Sequence, residues 1–206
     1  MQKKALFLDL DNTIYLVSSI GEELFKSLFQ IISESGEFSE NIEELKKEIM
    51  RRPFQFVAND FSFSDSLRSK CMDHLLNLTY ETHINTVEGY PVLQEIPCKK
   101  FLVTTGFTKL QNSKIDRLNI RDYFEKIYII DPSLTSLSKR DVFKKILVKY
   151  KFKIDEVLVV GDDLNSEIKA AQSLGIDSVL YDYQGNQTAN NGQKVIRNFA
   201  EVKNYI

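Results

Sequence analysis

The sequence predicts an α/β fold, a doubly wound parallel sheet with an α-helical segment inserted near its start. Short apolar runs recur along the chain and alternate with segments in which apolar residues repeat at helical spacing. One long stretch, residues 14–90, shows helical spacing without a convincing buried strand. Acidic or hydroxyl side chains follow several apolar runs. Because ligands bind beyond the carboxyl ends of parallel strands, these side chains predict a site at one edge of the sheet.

Five strands are expected, from the apolar runs at residues 5–10, 101–103, 127–130, 157–160 and 179–181. Helices are expected to begin soon after two of the strands, because residues 108–111 and 138–141 have the spacing of capping boxes. A further helix should carry Glu167 and end at Gly175, since glycine is common just beyond the last helical turn. These helices would therefore start near the strand ends.

We call residues 14–90 the helical insertion and expect three helices in it, the first two capped by residues 19–22 and 41–44. Their apolar faces are Leu24, Phe25, Leu28, Phe29 and Ile32, then Ile42, Leu45 and Ile49, and finally Leu67, Cys71, Leu75 and Leu76. Its position directly after the first strand predicts a lid, or cap, over the site, with residues 1–13 and 91–206 forming the core. Simple packing of these helices on one face of the sheet is the open alternative.

Composition indicates a soluble protein that acts on a small molecule. A chain of 206 residues buries about 70% of its unfolded surface, enough for one catalytic domain with an insertion. Lys and Arg number 27 against 29 Asp and Glu, so no basic field favours nucleic acid. The start of the chain runs into a strand too short for a signal peptide or a membrane span. Cys71 and Cys98 lack metal-ligand spacing, and we expect reduced thiols in the cytoplasm.

Asp9 and Asp11 follow the first apolar run, one residue apart. Strand side chains alternate, so the two carboxylates project to the same side if the backbone stays extended. One could then attack an electrophile while its neighbour moves a proton. The alternative is a plain turn at the end of a strand, where Asp and Asn are common.

Three later motifs decide between these interpretations. The second strand ends in Thr104, Thr105 and Gly106, and Ser138 with Lys139 opens a helix. A fourth apolar run ends in Gly161, Asp162 and Asp163, followed by Glu167. The order Asp-x-Asp, Thr, Lys, Gly-Asp-Asp resembles, along the whole chain, the four motifs of the haloacid dehalogenase superfamily of phosphohydrolases. The resemblance implies a Rossmann-like core with a helical cap.

The resemblance also implies the chemistry. Asp9 is expected to be the nucleophile, forming an aspartyl-phosphate, and Asp11 to protonate the leaving group and then activate water. Mg²⁺ is the expected cofactor, since it favours one or two carboxylates plus a substrate phosphate oxygen and water. Its expected ligands are Asp9, the Asp11 backbone carbonyl and Asp162; the expected phosphate ligands are Thr105, Gly106 and Lys139; the outer acids Asp163 and Glu167 would orient metal-bound water.

Two positions depart from the superfamily pattern. Glu167 stands where Asp is usual, and Lys139 is followed by Arg140 rather than by the frequent proline. Neither change removes a required charge. Because Arg140 is adjacent to Lys139, it remains the alternative cation for binding the phosphate.

The substrate is less well defined. Residues 9–15, 105–111 and 121–124 resemble members that hydrolyse nucleoside 5′-monophosphates, and Phe56 and Phe61 could stack a base, although core packing is the commoner role of phenylalanine. A sugar-phosphate phosphatase or a phosphomutase of the same superfamily is the alternative. A receiver-like signalling module or a non-catalytic phosphate-binding protein is the alternative from another class. We expect a small phosphate ester as the partner, with no nucleic acid and no membrane.

Overall fold

The computed structural model describes residues 2–38, 41–187 and 192–206, and within them six parallel strands form one sheet. The strands are β1 Ala5–Leu8, β2 Lys99–Thr105, β3 Lys126–Ile130, β4 Val157–Gly161, β5 Asp177–Tyr181 and β6 Lys194–Ile196. All five predicted strands are confirmed. The sixth, β6, has only three residues, of which Ile196 alone is buried, so it is too short to give a recognisable apolar run.

The strand order is β3-β2-β1-β4-β5-β6, which confirms the doubly wound parallel sheet. The chain crosses from β1 to β2 on one side and later returns to place β4 on the other side of β1. The order of strands therefore reverses next to β1. In such sheets the crevice at the reversal is the ligand site, and Asp9 and Asp162, which follow β1 and β4, lie there.

Helices cover both faces of the sheet. Those between β1 and β2 are α1 Gly21–Leu24, α2 Lys26–Ser35, α3 Ile42–Arg51, α4 Phe54–Asp60, α5 Asp65–Asn77 and α6 Val92–Glu95; the later ones are α7 Thr108–Arg117, α8 Lys139–Tyr150 and α9 Lys169–Leu174. The first helix expected in the insertion is broken at Phe25 into α1 and α2. Helix α4 was not expected. No helix within the described residues is long and apolar enough to cross a membrane.

Two hydrophobic clusters lie on opposite faces of the sheet, because side chains alternate along β1. Leu6 and Leu8 join a large cluster that also contains Leu28 and Leu45 of the helical insertion. Phe7 points the other way and packs with Phe101 and Phe143 in the second cluster, at ring-centroid distances of 5.6 and 5.2 Å. The insertion therefore shares its core with one face of the sheet. Its separation as a cap at residues 14–90 stays a prediction.

Only one of the predicted capping boxes forms. Ser138 accepts a hydrogen bond from the Asp141 amide, and the Asp141 side chain accepts one from the Ser138 amide, as expected. The prediction of a capping box at residues 19–22 is wrong, because the Ser19 hydroxyl donates instead to the Leu16 carbonyl. Asn41 is the N-cap of α3, but its side chain makes no capping hydrogen bond. Gly175 ends α9 in the left-handed conformation, as predicted.

The expected box at residues 108–111 is also wrong, because another residue caps α7. Asp131, which follows β3, accepts hydrogen bonds from the Thr108 amide at 2.7 Å and from the Thr108 hydroxyl at 2.8 Å. Its other carboxylate oxygen accepts hydrogen bonds from the amide and hydroxyl of Ser133. The fold thus supplies the cap from a neighbouring strand end, and this frees Gln111 for the site.

Candidate active site

Asp9 lies at the centre of the crevice between β1 and β4. Its amide donates to the Val160 carbonyl at 3.1 Å, which extends the β1 to β4 pairing by one residue and fixes the backbone. The residue is only 7% exposed, and its side chain accepts a hydrogen bond from Lys139 Nζ at 2.6 Å. Lys139 also donates to Glu167 at 2.7 Å. A buried lysine therefore joins the predicted nucleophile to the acid that follows β4.

This geometry decides between the two cations at the start of α8. Lys139 is buried and pairs with Asp9 and Glu167, whereas Arg140 is exposed and makes no ion pair among the described residues. Burial alone would lower the pKa of Lys139, but Asp9 and Glu167 raise it well above its usual range. Lys139 thus keeps its positive charge at the base of the site.

Glu167 reaches this position through a tight approach to β4. A π-helical turn at Leu164–Ile168 precedes α9, and Glu167 accepts a hydrogen bond from the Asp163 amide at 2.7 Å. A β-carbon at Gly161 would lie 2.2 Å from a Glu167 carboxylate oxygen, so only glycine fits there. Asp163, expected to orient metal-bound water, has a carboxylate oxygen that caps the turn by accepting from the Asn165 amide at 2.7 Å.

Asp9, Asp162 and Glu167 form an acid cluster, with one carboxylate oxygen from each lying within 4.8 Å of the others. Burial raises the pKa of Asp9 to about 7, with Glu167 and Asp11 adding to the rise and Lys139 opposing it. Burial, Glu167 and Asp9 also raise the pKa of Asp162 well above its usual range. Lys139 alone therefore does not balance the negative charge. A hard divalent cation with oxygen ligands, such as Mg²⁺, fits this donor set. Glu167 lies in the same cluster, and its expected role of orienting metal-bound water stays a prediction.

Asp11 is held by three side chains, which we call the Asp11 cradle: Tyr15, Gln111 and Lys114. Lys114 Nζ donates to Asp11 at 2.7 Å, Gln111 donates at 2.8 Å, and the Tyr15 hydroxyl donates as well. Burial alone would raise the pKa of Asp11, but Lys114 and these hydrogen bonds lower it. None of the sequence motifs described above indicated the cradle. The spacing of Gln111 and Lys114, one helical turn apart on α7, was a signal that they share a face.

At the end of β2, one of the two expected phosphate ligands keeps a donor for the phosphate and the other does not. The prediction that the Gly106 amide binds phosphate is wrong in this structure, because the amide donates to the Ile130 carbonyl at 3.0 Å. Pairing between β2 and β3 continues through this residue and uses its N–H. Within the part of the chain that the structure describes, the Thr105 hydroxyl makes no hydrogen bond, and Thr105 lies at the site.

A family model for haloacid dehalogenase-like hydrolases matches residues 3–175, which include every motif placed above. The chain belongs to this family. The chain is 34% identical over 91 residues to the glyceraldehyde 3-phosphate phosphatase of Pyrococcus abyssi, covering 44% of this chain and 38% of that enzyme. It is 25% identical over 195 residues to the enzyme of the same name from Pyrococcus furiosus, covering 87% and 81%.

Solved structures share the fold. A haloacid dehalogenase-like family protein from Streptococcus pneumoniae superposes with a TM-score of 0.76 at 18% identity, covering 98% of each chain. The family and the phosphatases named above identify this hydrolase as a phosphoric monoester hydrolase. A receiver-like module and a binding protein without turnover are thereby excluded.

The hydrolase has a cavity of about 750 Å³ that joins the acid cluster to the helical insertion. Asp9, Asp11 and Asp162 line it from the sheet side, and Thr105, Gly106, Lys139, Asp163 and Glu167 also border it. From the insertion, the charged residues that border it are Lys47, Arg51 and Arg52. The structure thus brings together all the predicted residues of the core.

Phe56 and Phe61, the expected substrate-binding aromatics, do not line this cavity. Phe56 is 61% exposed on the outside of α4, and Phe61 packs against Phe38 at a ring-centroid distance of 6.4 Å. The prediction that they stack a base is therefore wrong for this structure. Helical spacing places Phe54 and Phe56 on different sides of α4, and it is Phe54 that borders the cavity.

Proposed function

We propose that this hydrolase is a Mg²⁺-dependent phosphatase that cleaves a small phosphorylated metabolite through an aspartyl-phosphate on Asp9. The observation that carries the proposal is the acid cluster itself, in which the buried Asp9 meets Asp162, Glu167 and the ammonium group of Lys139. A carboxylate that attacks a phosphate dianion meets repulsion of about 4 kcal/mol per charge pair at 4 Å and an effective dielectric constant of 20. The site must therefore gather positive charge around the phosphate.

Asp9, Asp162 and Glu167 supply carboxylate oxygens that suit Mg²⁺, and the Asp11 carbonyl stays the further ligand expected from the sequence. The metal, when bound, neutralises phosphate oxygens during transfer. Lys139 adds a fixed positive charge, and the Thr105 hydroxyl is free to donate a hydrogen bond to the phosphate.

Transfer proceeds in two steps on this chain's own residues. An oxygen of Asp9 bonds to phosphorus as the ester oxygen leaves, and a protonated Asp11 gives its proton to that oxygen. Ionised Asp11 then accepts a proton from the water that attacks phosphorus, which releases phosphate and restores Asp9. The cradle lowers the pKa of Asp11, which favours the ionised form that the second step needs and opposes the protonated form that the first step needs.

Phosphorylated sugars are the substrate class that we propose. The relatives that match over most of the chain are named glyceraldehyde 3-phosphate phosphatases. Nucleoside 5′-monophosphates, suggested by motif resemblance, lose support because Phe56 and Phe61 lie outside the cavity. We place the enzyme in the cytoplasm, where the free thiols of Cys71 and Cys98 stay reduced.

The test measures release of phosphate from a generic aryl phosphate with and without Mg²⁺. Asp9→Asn should abolish turnover, and chelation of Mg²⁺ should do the same to the unaltered protein. Asp11→Asn should slow turnover by about 10² to 10⁴, the usual contribution of general acid-base catalysis. Asp73→Asn, at an exposed position of α5, is the matched control and should keep full activity. Turnover by Asp9→Asn, or by the chelated enzyme, would refute the mechanism.

A further inference from the structure

The charged residues that line the cavity differ between the core and the helical insertion. Its acids, among the described residues, are Asp9, Asp11, Asp162, Asp163, Glu167 and Asp182, all of them in the core. Among the described residues of the helical insertion, the charged ones that reach it are cations only, namely Lys47, Arg51 and Arg52. We call these three residues the basic edge. One cavity therefore joins a site for a metal and a phosphate to a separate group of positive charges.

From this arrangement we infer that the basic edge binds a second anionic group of the substrate, a carboxylate or a second phosphate, while the first phosphate meets Asp9. The inference rests on the proposed function and specifies its substrate class. The preferred substrate is then a phosphorylated metabolite that carries negative charge at both ends.

The basic edge keeps spare positive charge after its internal ion pairs are counted. Arg51 and Arg52 share one carboxylate, Glu48, at 2.7 and 2.6 Å, and Arg52 also pairs with Asp60 at 2.8 Å. Lys47 makes no ion pair within residues 2–38, 41–187 and 192–206. The two carboxylates, Glu48 and Asp60, therefore do not neutralise the three cations of the basic edge.

The ion pairs also orient the guanidinium groups without using all their donors. Arg51 and Arg52 each donate through Nε and Nη2, so each Nη1 is left to bind an oxyanion. A side chain that is already held loses less conformational entropy when it binds a ligand.

The helix dipole explains the position of only some of the cations in the basic edge. Arg51 occupies the last turn of α3, where cations gain from the helix dipole. Lys47 lies one turn earlier, outside that effect, and still borders the cavity. Its neighbour Lys46 pairs with Glu43 at 2.9 Å and does not border it. Lys46 therefore provides a matched control on the same helix.

The experiment compares substrates that differ in the second anionic group alone. Glycerate 3-phosphate is tested against glycerol 3-phosphate, and fructose 1,6-bisphosphate against fructose 6-phosphate, with kcat/KM measured for each. Within at least one pair, the wild-type enzyme should favour the compound with the extra anion. The first pair reports on a carboxylate and the second on a phosphate.

Lys47→Gln should lower that preference, expressed as the ratio of the two kcat/KM values, by about 10-fold or more, as loss of a hydrogen bond to a charged group implies. Lys47→Arg should restore most of it, and Lys46→Gln should leave the ratio at its wild-type value. An enzyme without preference in either pair, or equal ratios in Lys47→Gln and Lys46→Gln, would overturn the inference.

A binding measurement separates failure of the phosphatase proposal from failure of the inference about the basic edge. If no phosphate ester is hydrolysed, the same four compounds are titrated by calorimetry against the wild type and Lys47→Gln. Tighter binding of the doubly anionic compounds, lost in Lys47→Gln, would support the basic edge while the phosphatase proposal fails. Equal dissociation constants for both members of each pair would overturn the inference as well.

Discussion

At the scale of single residues, the main feature is a set of carboxylates that the fold buries together. Asp162 receives one long hydrogen bond from the Thr13 hydroxyl at 3.3 Å, and no cation contacts its carboxylate among the described residues. The carboxylates of Asp9, Asp162 and Glu167 repel one another, and a bound cation would reduce this repulsion. The clustered carboxylates therefore lower the stability of the fold without metal while they suit the site to bind a cation.

The first prediction concerns pH. Asp9 has a pKa of about 7 in the folded protein and an ordinary value of 3.8 when unfolded, so the folded state holds more protons between these values. The free energy of unfolding should therefore fall as pH rises from about 4 to about 7, and the raised pKa of Asp162 should add to this fall. The Tm of the protein in EDTA, measured from pH 5.5 to 7.5, checks this. Carboxylates with lowered pKa values are ionised throughout that window.

Asp9→Asn should flatten this decline, because the variant removes the group that titrates. A decline of unchanged slope in Asp9→Asn would assign the effect to another group, with Asp162 the first to examine.

The second prediction concerns Asp162. Asp162→Asn should raise the Tm in EDTA by about 2 °C or more, since relief of about 1 kcal/mol moves the Tm of a chain of this size by about 2–4 °C. The stabilisation that Mg²⁺ gives should shrink in the same variant, because a ligand is lost. Thermal unfolding with and without Mg²⁺ measures both. A lower Tm in EDTA would show that Asp162 is not under repulsion.

At the scale of elements, strand ends determine where helices begin and where their side chains lie. Asp131, at the end of β3, caps α7, and α7 carries Gln111 and Lys114 to Asp11. Ser138 caps α8, which carries Lys139 to Asp9. The contacts of Asp9 and Asp11, the two carboxylates predicted to be catalytic, thus depend on helix caps that lie outside their own strand.

The third prediction tests the cap of α7. Asp131→Ala should cost about 1–2 kcal/mol of stability, the usual value of an N-cap, and should also lower kcat because the Asp11 cradle moves. Ser64→Ala removes the N-cap of α5, whose side chain accepts from the Leu67 amide at 3.1 Å. That control should lose comparable stability and keep its kcat. Equal kcat values in both variants would show that the cap of α7 has no part in positioning.

At the scale of the whole molecule, the active site is a cavity between the sheet edge and the helical insertion. Val17, Met50 and Phe54 of the insertion border the same space as Asp9. A bound phosphate group would therefore sit within reach of both parts of the molecule. This arrangement is the basis for keeping the prediction that residues 14–90 act as a cap.

The fourth prediction follows from the shared cavity. Orthovanadate with Mg²⁺, a mimic of phosphate in transfer, should slow amide hydrogen exchange in the loops after β1 and β4 and also in α3. The segment Phe199–Tyr205, which does not border the cavity, should be unaffected. Exchange measured by mass spectrometry checks this. Protection confined to the core segments would show that the insertion does not close over the phosphate.

The sequence by itself determined the sheet, the order of its motifs and the acids of the site. Apolar runs fix strands because a strand buried on both faces needs apolar side chains throughout, as Val157–Gly161 shows. Asp9 and Asp162 follow from the same reasoning, since parallel strands end at one edge of the sheet. Lys139, which opens a helix, was expected from the resemblance to the motif order of the superfamily. The choice of Lys139 over Arg140 required the structure, because only burial distinguishes two adjacent cations.

Only the tertiary structure decided the contacts between residues that are distant along the chain. Lys114 and Asp11 are 103 residues apart, and Asp131 caps a helix that begins 23 residues before it. Only the tertiary structure shows that the Gly106 amide donates to the Ile130 carbonyl of β3 and that Phe56 lies outside the cavity. Local patterns specify which groups an element can present, but the partner of each group depends on how the elements pack, and packing is a property of the whole chain.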